Sequence, residues 1–355
     1  MSETIPLGGG TVPGATDKPI KPHRSISQVT SLLGCGEAYR RRYVEKEKYP
    51  WGVSALIGSG MHKGAEINFK QKLVTHEDLP VKDIVDAAVA GFEERLEKDD
   101  VAIDKGENRE LVIAAGKVKV QNFAAAFATM QAPDYQPVAT EQKFRIEVPR
   151  GTHDIVGVID LVAILKRLGP GQRVRDFKTA GRKKSTVDEA DSLQLTCYDA
   201  GHRSIFGFAP EDVGLDVLIQ GPKSKGAQRQ ELVGSRDAED FRVLANVLNV
   251  MDHAIKTGTF LPNGRGTWKC AAKWCEFYTR GCPYVNADKL QQIGDKQGED
   301  AEREPSGTCC ACWAGMIGPS PITWPTWPSP CASGAGGSRP RTAAPARNTH
   351  AAGSS

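Results

Sequence analysis

The apolar positions of this chain follow two periods in turn. From Ser25 onward, Ile26, Val29, Leu32 and Leu33 recur at helical spacing, and Ser25 with Gln28 three residues later forms a capping-box pattern that predicts the helix start. A second helix is expected after "IGSG", through "MHKGAEINFKQKLV", a third over about 81–98, and a fourth over about 108–129, ending before "QAPDY". The period then shortens to two. "EQKFRIEVPR" alternates, "DIVGVIDLVAIL" and "VRDFKT" are rich in strand formers, and "GLDVLIQGPK" reads as a further strand. Helices are expected near 187–206 and 236–257. This order predicts an α/β domain: a central mixed sheet flanked by helices, with a helical region on its N-terminal side.

The two ends keep neither period. Residues 1–23, rich in Gly, Pro and Thr, read as a disordered lead-in. From about 286 the chain is dominated by Pro, Gly, Ala, Ser and Thr, so 286–355 reads as a disordered or non-domain tail. Its abrupt onset, with scattered Trp and Cys, resembles out-of-frame sequence. One domain over 24–285 remains. Composition adds little: 39% hydrophobic and 25% charged residues suit an ordinary soluble protein, and a net charge of +3 does not by itself indicate nucleic acid. The longest apolar runs contain acids and read as too short to span a bilayer, and the N-terminus has no apolar signal core. No membrane partner and a cytoplasmic location are therefore expected. Thiols stay reduced there, so nine cysteines need a reason other than disulfides.

The candidate chemistry begins in "VRDFKTAGRKK". In a strand, Asp176 and Lys178 share one face and Phe177 takes the other. A solvated ion pair and a catalytic pair both fit that pattern. Upstream, "VGVIDLV" places Asp160 in an apolar strand, where a lone carboxylate is costly without a partner or a metal. If the two strands are neighbours, Asp160 and Asp176 converge beside Lys178. Two carboxylates can bind a hard divalent ion, and a lysine beside it can orient water and stabilise developing negative charge. His62 and Glu66, at i and i+4, share a helix face as candidate ligand and auxiliary acid. Gln194 and Tyr198 share another. Arg182, Lys183 and Lys184 follow the strand at once and are the first candidates for phosphate contacts, ahead of Arg40–Arg42, Lys223 and Lys225. Tyr39 and Tyr43 suit either base stacking or core packing.

In the order "GSGMHKGAE", "GVIDLV", "RDFKTA", "QLTCYDAG", these residues resemble the PD-(D/E)XK nuclease superfamily. The resemblance is closest to the RecB-like exonucleases, a branch that includes phage recombination exonucleases and the CRISPR-associated RecB-like nuclease. It spans about residues 24–285. It implies a restriction-endonuclease-like core in which His62, Asp160, Asp176 and the Phe177 carbonyl hold Mg²⁺ or Mn²⁺. Asp160, Asp176, Lys178, Glu66, Gln194 and Tyr198 would form the catalytic set. It further implies hydrolysis of DNA, by exonuclease action, in recombination, repair or phage DNA processing. The partners implied are a helicase, a single-strand annealing protein or a CRISPR adaptation protein; no GxxxxGK[ST] motif is present for the chain to unwind DNA itself. A non-catalytic DNA-binding or scaffold module on the same fold is the other reading, against which the intact Asp160, Asp176 and Lys178 set argues.

"WKCAAKWCEFYTRGCPYV" carries Cys270, Cys275 and Cys282 at spacings C-x4-C-x6-C, a pattern for soft-metal ligation, and Cys35 is the candidate fourth ligand. The resemblance implies a [4Fe–4S] cluster, held by one cysteine before the nuclease core and three after it. Four thiolates equally suit zinc, so a zinc-stapled binding protein stays open. Cys197 reads as a buried free thiol. Cys309, Cys310, Cys312 and Cys331 fall in the tail and are expected to ligate nothing.

Overall fold

A computed structural model describes residues 22–285, apart from 105, 149–150, 152, 222–225, 265–266, 268 and 272–273. The expected tail, Lys223 and Lys225 and the last four cysteines lie outside the described residues, as does all of the lead-in but Pro22 and His23. β1 (His23–Ser25) begins one residue inside the stretch read as lead-in and runs into α1 (Ile26–Gly34). The expected capping box is present: the Gln28 amide donates to Ser25 Oγ, and the Ser25 amide donates to Gln28 Oε1. α2 (Gly36–Tyr39) continues as a π-turn over Arg40–Val44. β2 (Trp51–Gly52), α3 (Val53–Thr75), α4 (Val81–Lys98), β3 (Val101–Ala102) and α5 (Arg109–Ala126) follow. The second half holds β4 (Tyr135–Ile146), β5 (Asp154–Leu165), β6 (Gln172–Ala180), α6 (Val187–Ala190), α7 (Leu193–Phe206), β7 (Val213–Ile219), β8 (Gln228–Gly234) and α8 (Ala238–Thr257).

The mixed sheet has the order β1-β5-β6-β7-β8, with β4 also on β5. Its two faces bury separate cores. Leu161, Ala163, Leu165 and Phe177 pack with α3, α4 and α5 on one face. Ile155, Ile159, Val162, Val174 and Val217 pack with α1, α7 and α8 on the other. Along β5, Ile159 and Val162 face one core while Leu161 and Ala163 face the other, so the alternation slips at Asp160.

Three departures from the sequence pattern have local causes. α3 starts at Val53, ahead of the "IGSG" stretch, which lies inside the helix with Gly60 against α4. A Cβ on Gly60 would meet the Ala88 carbonyl at 2.5 Å, and one on Gly91 would meet Lys63 Cβ at 2.6 Å. Close helix approach takes precedence here over the helix-weakening effect of glycine. The helix expected over 187–206 divides into α6 and α7, and Ser192 caps α7 by accepting from the Leu195 amide. β8, "QRQELVG", is an extra strand that polar composition hides; it pairs antiparallel with β7. The α5 run, Arg109–Asp134, is long and apolar enough to cross a membrane by length and composition, which the reading of apolar runs passed over. Val120, Phe123, Ala124 and Phe127 of that run are buried in the core with α3 and α4.

Candidate active site

The site forms where two strands part. β5 pairs with β6 from Ile164↔Gln172 to Leu161↔Arg175, and with β1 over Asp154–Val156. Asp160 and Asp176 lie just past the last β5–β6 pair, at the mouth of this fork. Released from β5, the Phe177 amide donates to Asp160 Oδ2 at 3.1 Å. This fixes the carboxylate that the sequence places in an apolar strand. β6 stays paired in parallel with β7, so its backbone remains straight through Asp176 and Lys178.

Helices close the fork from both faces. α3 brings His62, whose Nδ1 lies 3.4 Å from Asp160 Oδ2, and the Phe177 carbonyl faces the same ring. α7 brings Gln194, whose Nε2 donates to Asp176 Oδ1 at 3.1 Å and to the Tyr198 hydroxyl at 2.7 Å. Lys178 Nζ donates to Asp176 Oδ1 at 3.0 Å. It also lies 2.8 Å from Asp176 Oδ2, but out of line, and that buried oxygen has no hydrogen-bond partner. Phe177 points away into the opposite core, against Phe69, Phe127 and Tyr135.

These positions set the charges. Burial and the neighbouring Asp176 carboxylate push the Asp160 carboxyl well above the usual aspartate range. Burial lowers the Lys178 ammonium, but Asp176 and Asp160 outweigh it and leave the group raised, hence charged at neutral pH. Burial and the nearby Lys178 hold His62 below its ordinary value, leaving a neutral imidazole able to ligate. A buried carboxylate oxygen without a hydrogen bond, next to a second carboxyl that resists ionising, is a donor set that a hard divalent cation fits.

Of the residues singled out in the sequence, His62, Asp160, Asp176, Phe177, Lys178, Gln194 and Tyr198 come together here. Glu66 stands beside them, bordering the same depression as His62 and Glu141, but Lys63 and Lys70 engage its carboxylate, and those hydrogen bonds lower its pKa. Glu141 joins instead. Among the described residues, His62, Glu141 and Asp160 bring ligand atoms within 4.8 Å of one another. Thr140↔Leu161 and Gln142↔Ile159 set Glu141 of β4 opposite Asp160 of β5. Its φ of 48° is rare for a non-glycine residue and is a local strain. Burial and Asp160 raise its pKa. The one sequence cue was the polar run "TEQK" within an otherwise alternating strand. Arg182 and Lys183 are exposed, and the Lys184 backbone exchanges hydrogen bonds with Gln230 of β8. Their turn therefore leads to β8, on the far side of β6 from Asp160. Tyr39 is buried against Tyr43 and Phe260, so core packing is its role.

A second candidate centre joins the ends of the domain. Cys35 lies between α1 and α2, and the Asn263 amide donates to its Sγ at 3.3 Å. The Gly36 amide donates to the Leu261 carbonyl at 2.7 Å, where a Cβ on Gly36 would sit 2.5 Å from the same oxygen. Burial raises the Cys275 thiol, and Cys35, Cys282 and Cys270 each add to that rise. The three others therefore lie within electrostatic reach of Cys275, although among the described residues the sulfurs do not converge into one ligand group. Around them Arg41 donates to the Arg280 carbonyl at 2.7 Å and lies over Phe277, while Arg42 pairs with Glu276. These contacts account for two of the three arginines in "YRRRYV". Cys197 is buried and its thiol is pushed up to about 12 by burial alone.

A mixed sheet that forks at two aspartates, with a lysine two residues past the second, defines a restriction-endonuclease-like nuclease core. The chain belongs to the PD-(D/E)XK nuclease superfamily, whose family model matches residues 23–286. Among solved structures, a Eubacterium rectale protein described as a candidate exonuclease is similar at 12% identity and a TM-score of 0.44, over 77% of this chain and 93% of that one. The protein SSO0001 is similar at 14% identity and a TM-score of 0.29, over 74% and 97%. At these scores neither structure adds to the reading of this chain. No curated protein matches it.

Proposed function

We propose that residues 24–285 form a divalent-metal-dependent deoxyribonuclease of the RecB-like branch, acting as an exonuclease. The observation that carries this is the convergence at the β5–β6 fork of Asp160, Asp176 and Lys178 with His62, Gln194 and Tyr198. His62, Asp160, Asp176 and the Phe177 carbonyl would hold Mg²⁺ or Mn²⁺, with Glu141 as a further donor. When bound, the cation supplies Lewis-acid polarisation of the phosphate and acidifies water. Lys178, kept charged by its two carboxylates, places an ammonium where negative charge builds on the phosphoryl oxygens. Gln194, held in turn by the Tyr198 hydroxyl, fixes the Asp176 carboxylate, and the Phe177 amide fixes Asp160. Work in a cytoplasm beside a helicase, an annealing protein or a CRISPR adaptation protein belongs to the same reading. End-labelled single- and double-stranded linear DNA, incubated beside a closed circle, tests it. With Mn²⁺ or Mg²⁺ the linear DNA is degraded and the circle spared, and EDTA stops the reaction. Cutting of the circle would remove the exonuclease part, and intact DNA throughout would remove the nuclease.

The four cysteines belong to this proposal as an iron–sulfur staple. Support comes from the position of the four cysteines, one before the core and three after it, with Cys35, Cys270 and Cys282 within electrostatic reach of Cys275. Four thiolates closing so long a loop would add stability chiefly by restricting the unfolded chain. Protein purified without oxygen is expected to contain iron and absorb near ~400 nm, as thiolate-bound iron–sulfur centres do. Cys275→Ser is expected to lose both signals. Colourless protein with stoichiometric zinc would instead establish a zinc staple.

A further inference from the structure

Asn263 is the one asparagine of the chain that is followed by a glycine. The dipeptide lies between α8 and the three late cysteines, outside helix and strand, with Asn263 half-buried and Gly264 exposed. The Gly264 amide donates to Asn263 Oδ1 at 3.0 Å, which holds its nitrogen beside the side-chain carboxamide carbon. Downstream, the Thr267 amide and hydroxyl donate to the Gly264 carbonyl at 3.0 and 2.9 Å and fix the turn. Upstream, the Asn263 amide donates to Cys35 Sγ, two residues past the Leu261 carbonyl that accepts from the Gly36 amide. The dipeptide is therefore part of the tie between the ends of the domain. The other described asparagines are placed differently. Asn68, Asn122, Asn246 and Asn249 lie inside α3, α5 and α8, where the amide that follows each is hydrogen-bonded along its helix. Asn108 caps α5, its side-chain oxygen accepting from the Leu111 amide. Each of these precedes a residue with a side chain that crowds its backbone nitrogen.

We propose that Asn263 is a site of spontaneous modification: its side chain cyclises onto the Gly264 nitrogen and reopens as aspartate or isoaspartate, which loosens the tie at Cys35. Hydroxide removes the Gly264 amide proton. The nitrogen attacks Asn263 Cγ, so the N–Cγ bond forms and the Cγ–Nδ2 bond breaks. Nδ2 leaves as ammonia, taking a proton from water and returning hydroxide. The product is a cyclic imide. Water then opens it on one of two sides. Cleavage of the new N–Cγ bond gives aspartate; cleavage between the Gly264 nitrogen and the Asn263 main-chain carbon gives isoaspartate, whose backbone runs through Cβ and Cγ. Nothing is oxidised or reduced. Glycine favours the ring step because no side chain shields its nitrogen and its backbone is free to turn. Either product disturbs the tie. Aspartate brings a negative charge next to a cysteine that ligates metal only as a thiolate. Isoaspartate lengthens the main chain between the amide that holds Cys35 and the turn fixed by Thr267.

The test follows purified full-length protein kept warm in mildly alkaline buffer for days. Peptide mass spectrometry reads the amide-to-acid mass gain at each asparagine, and labelling by an isoaspartyl methyltransferase reads isoaspartate. Asn263 is expected to convert at least severalfold faster than Asn108 or Asn122, faster as pH rises, with isoaspartate among the products. Gly264→Ala should suppress the conversion without harming the fold, since a Cβ there meets only Thr267 Cγ2, at 3.8 Å. Deuterium exchange in the peptide that carries Cys35 and Gly36 should rise in aged wild type and stay low in aged Gly264→Ala. Equal rates at Asn263 and Asn108, or undiminished conversion in Gly264→Ala, would overturn the proposal. Aspartate without any isoaspartate would overturn the cyclic route, and unchanged exchange after full conversion would overturn the loosening at Cys35.

Discussion

The Asp160→Asn protein folds, keeps the melting temperature of the metal-free wild type or exceeds it, and cleaves DNA at least about 10³-fold more slowly. Asparagine still accepts from the Phe177 amide, so the fork keeps its shape. What it loses is the charge that a cation needs. That charge is also a burden on the folded protein. The Asp160 carboxyl is held well above the usual aspartate range by burial and Asp176, so the folded state binds its proton more tightly than the unfolded chain does. Stability of the metal-free wild type therefore falls as pH rises from the ordinary aspartate range through the raised one. Glu141, also raised, contributes in the same direction. Divalent cations should restore the loss at high pH in wild type and do nothing for Asp160→Asn. Melting curves across pH, with and without Mn²⁺, measure this. A variant that still gains stability from Mn²⁺, or keeps wild-type turnover, would remove Asp160 from the ligand set.

Asp216→Ala should unfold far more easily, with a cost of about 3–5 kcal/mol in urea titrations. Asp216 is fully buried on β7, opposite Phe177 of β6. Gln131 Nε2 and the Tyr135 hydroxyl each donate to it at 2.6 Å, and Arg229 donates through Nε at 3.0 Å and Nη2 at 2.8 Å. Alanine leaves the Gln131 and Tyr135 donors buried without this acceptor, and Arg229 keeps only Asp134 and the Met130 carbonyl. Asp216→Asn keeps an acceptor for part of the set and should cost less. The network also backs the Phe177 ring, which packs against Tyr135, so residual Asp216→Ala activity should be more sensitive to temperature. Equal stabilities for the alanine variant and wild type would show that the network carries no net energy.

Much of this architecture follows from local signals. The Ser25–Gln28 box, the run Val81–Lys98 and the strand "DIVGVIDLVAIL" each satisfy one period strongly, and the fold keeps them. The Asp176/Lys178 pair follows from strand geometry alone. The rest depends on partners distant in sequence. β8 is polar because it is an edge strand whose Arg229 and Glu231 find counter-charges in Asp216 and Arg175. Glu141 reaches the site through a left-handed backbone conformation that composition does not encode. Glu66 has the right helical offset from His62, yet two lysines at i−3 and i+4 hold it. The basic turn after β6 seemed close to the reacting strand because it is adjacent in sequence, but the Gln230 contacts carry it the other way.

The tie between the ends of the domain bears on how it is made. Cys35 meets Asn263, 228 residues later, and Arg41 meets Arg280, 239 residues later. Among the described residues β1 likewise pairs only with β5. A chain emerging from the ribosome thus presents α1 and α2 long before any surface exists to receive them, whereas α3, α4 and α5 can assemble on one another at once. At about 5–20 residues per second the early helices wait for many seconds with their apolar sides unpartnered. Within that waiting segment Arg40 and Arg41 find counter-charges close by in sequence, Glu37, Glu45 and Glu47, so these pairs can form before Cys282 has been synthesised.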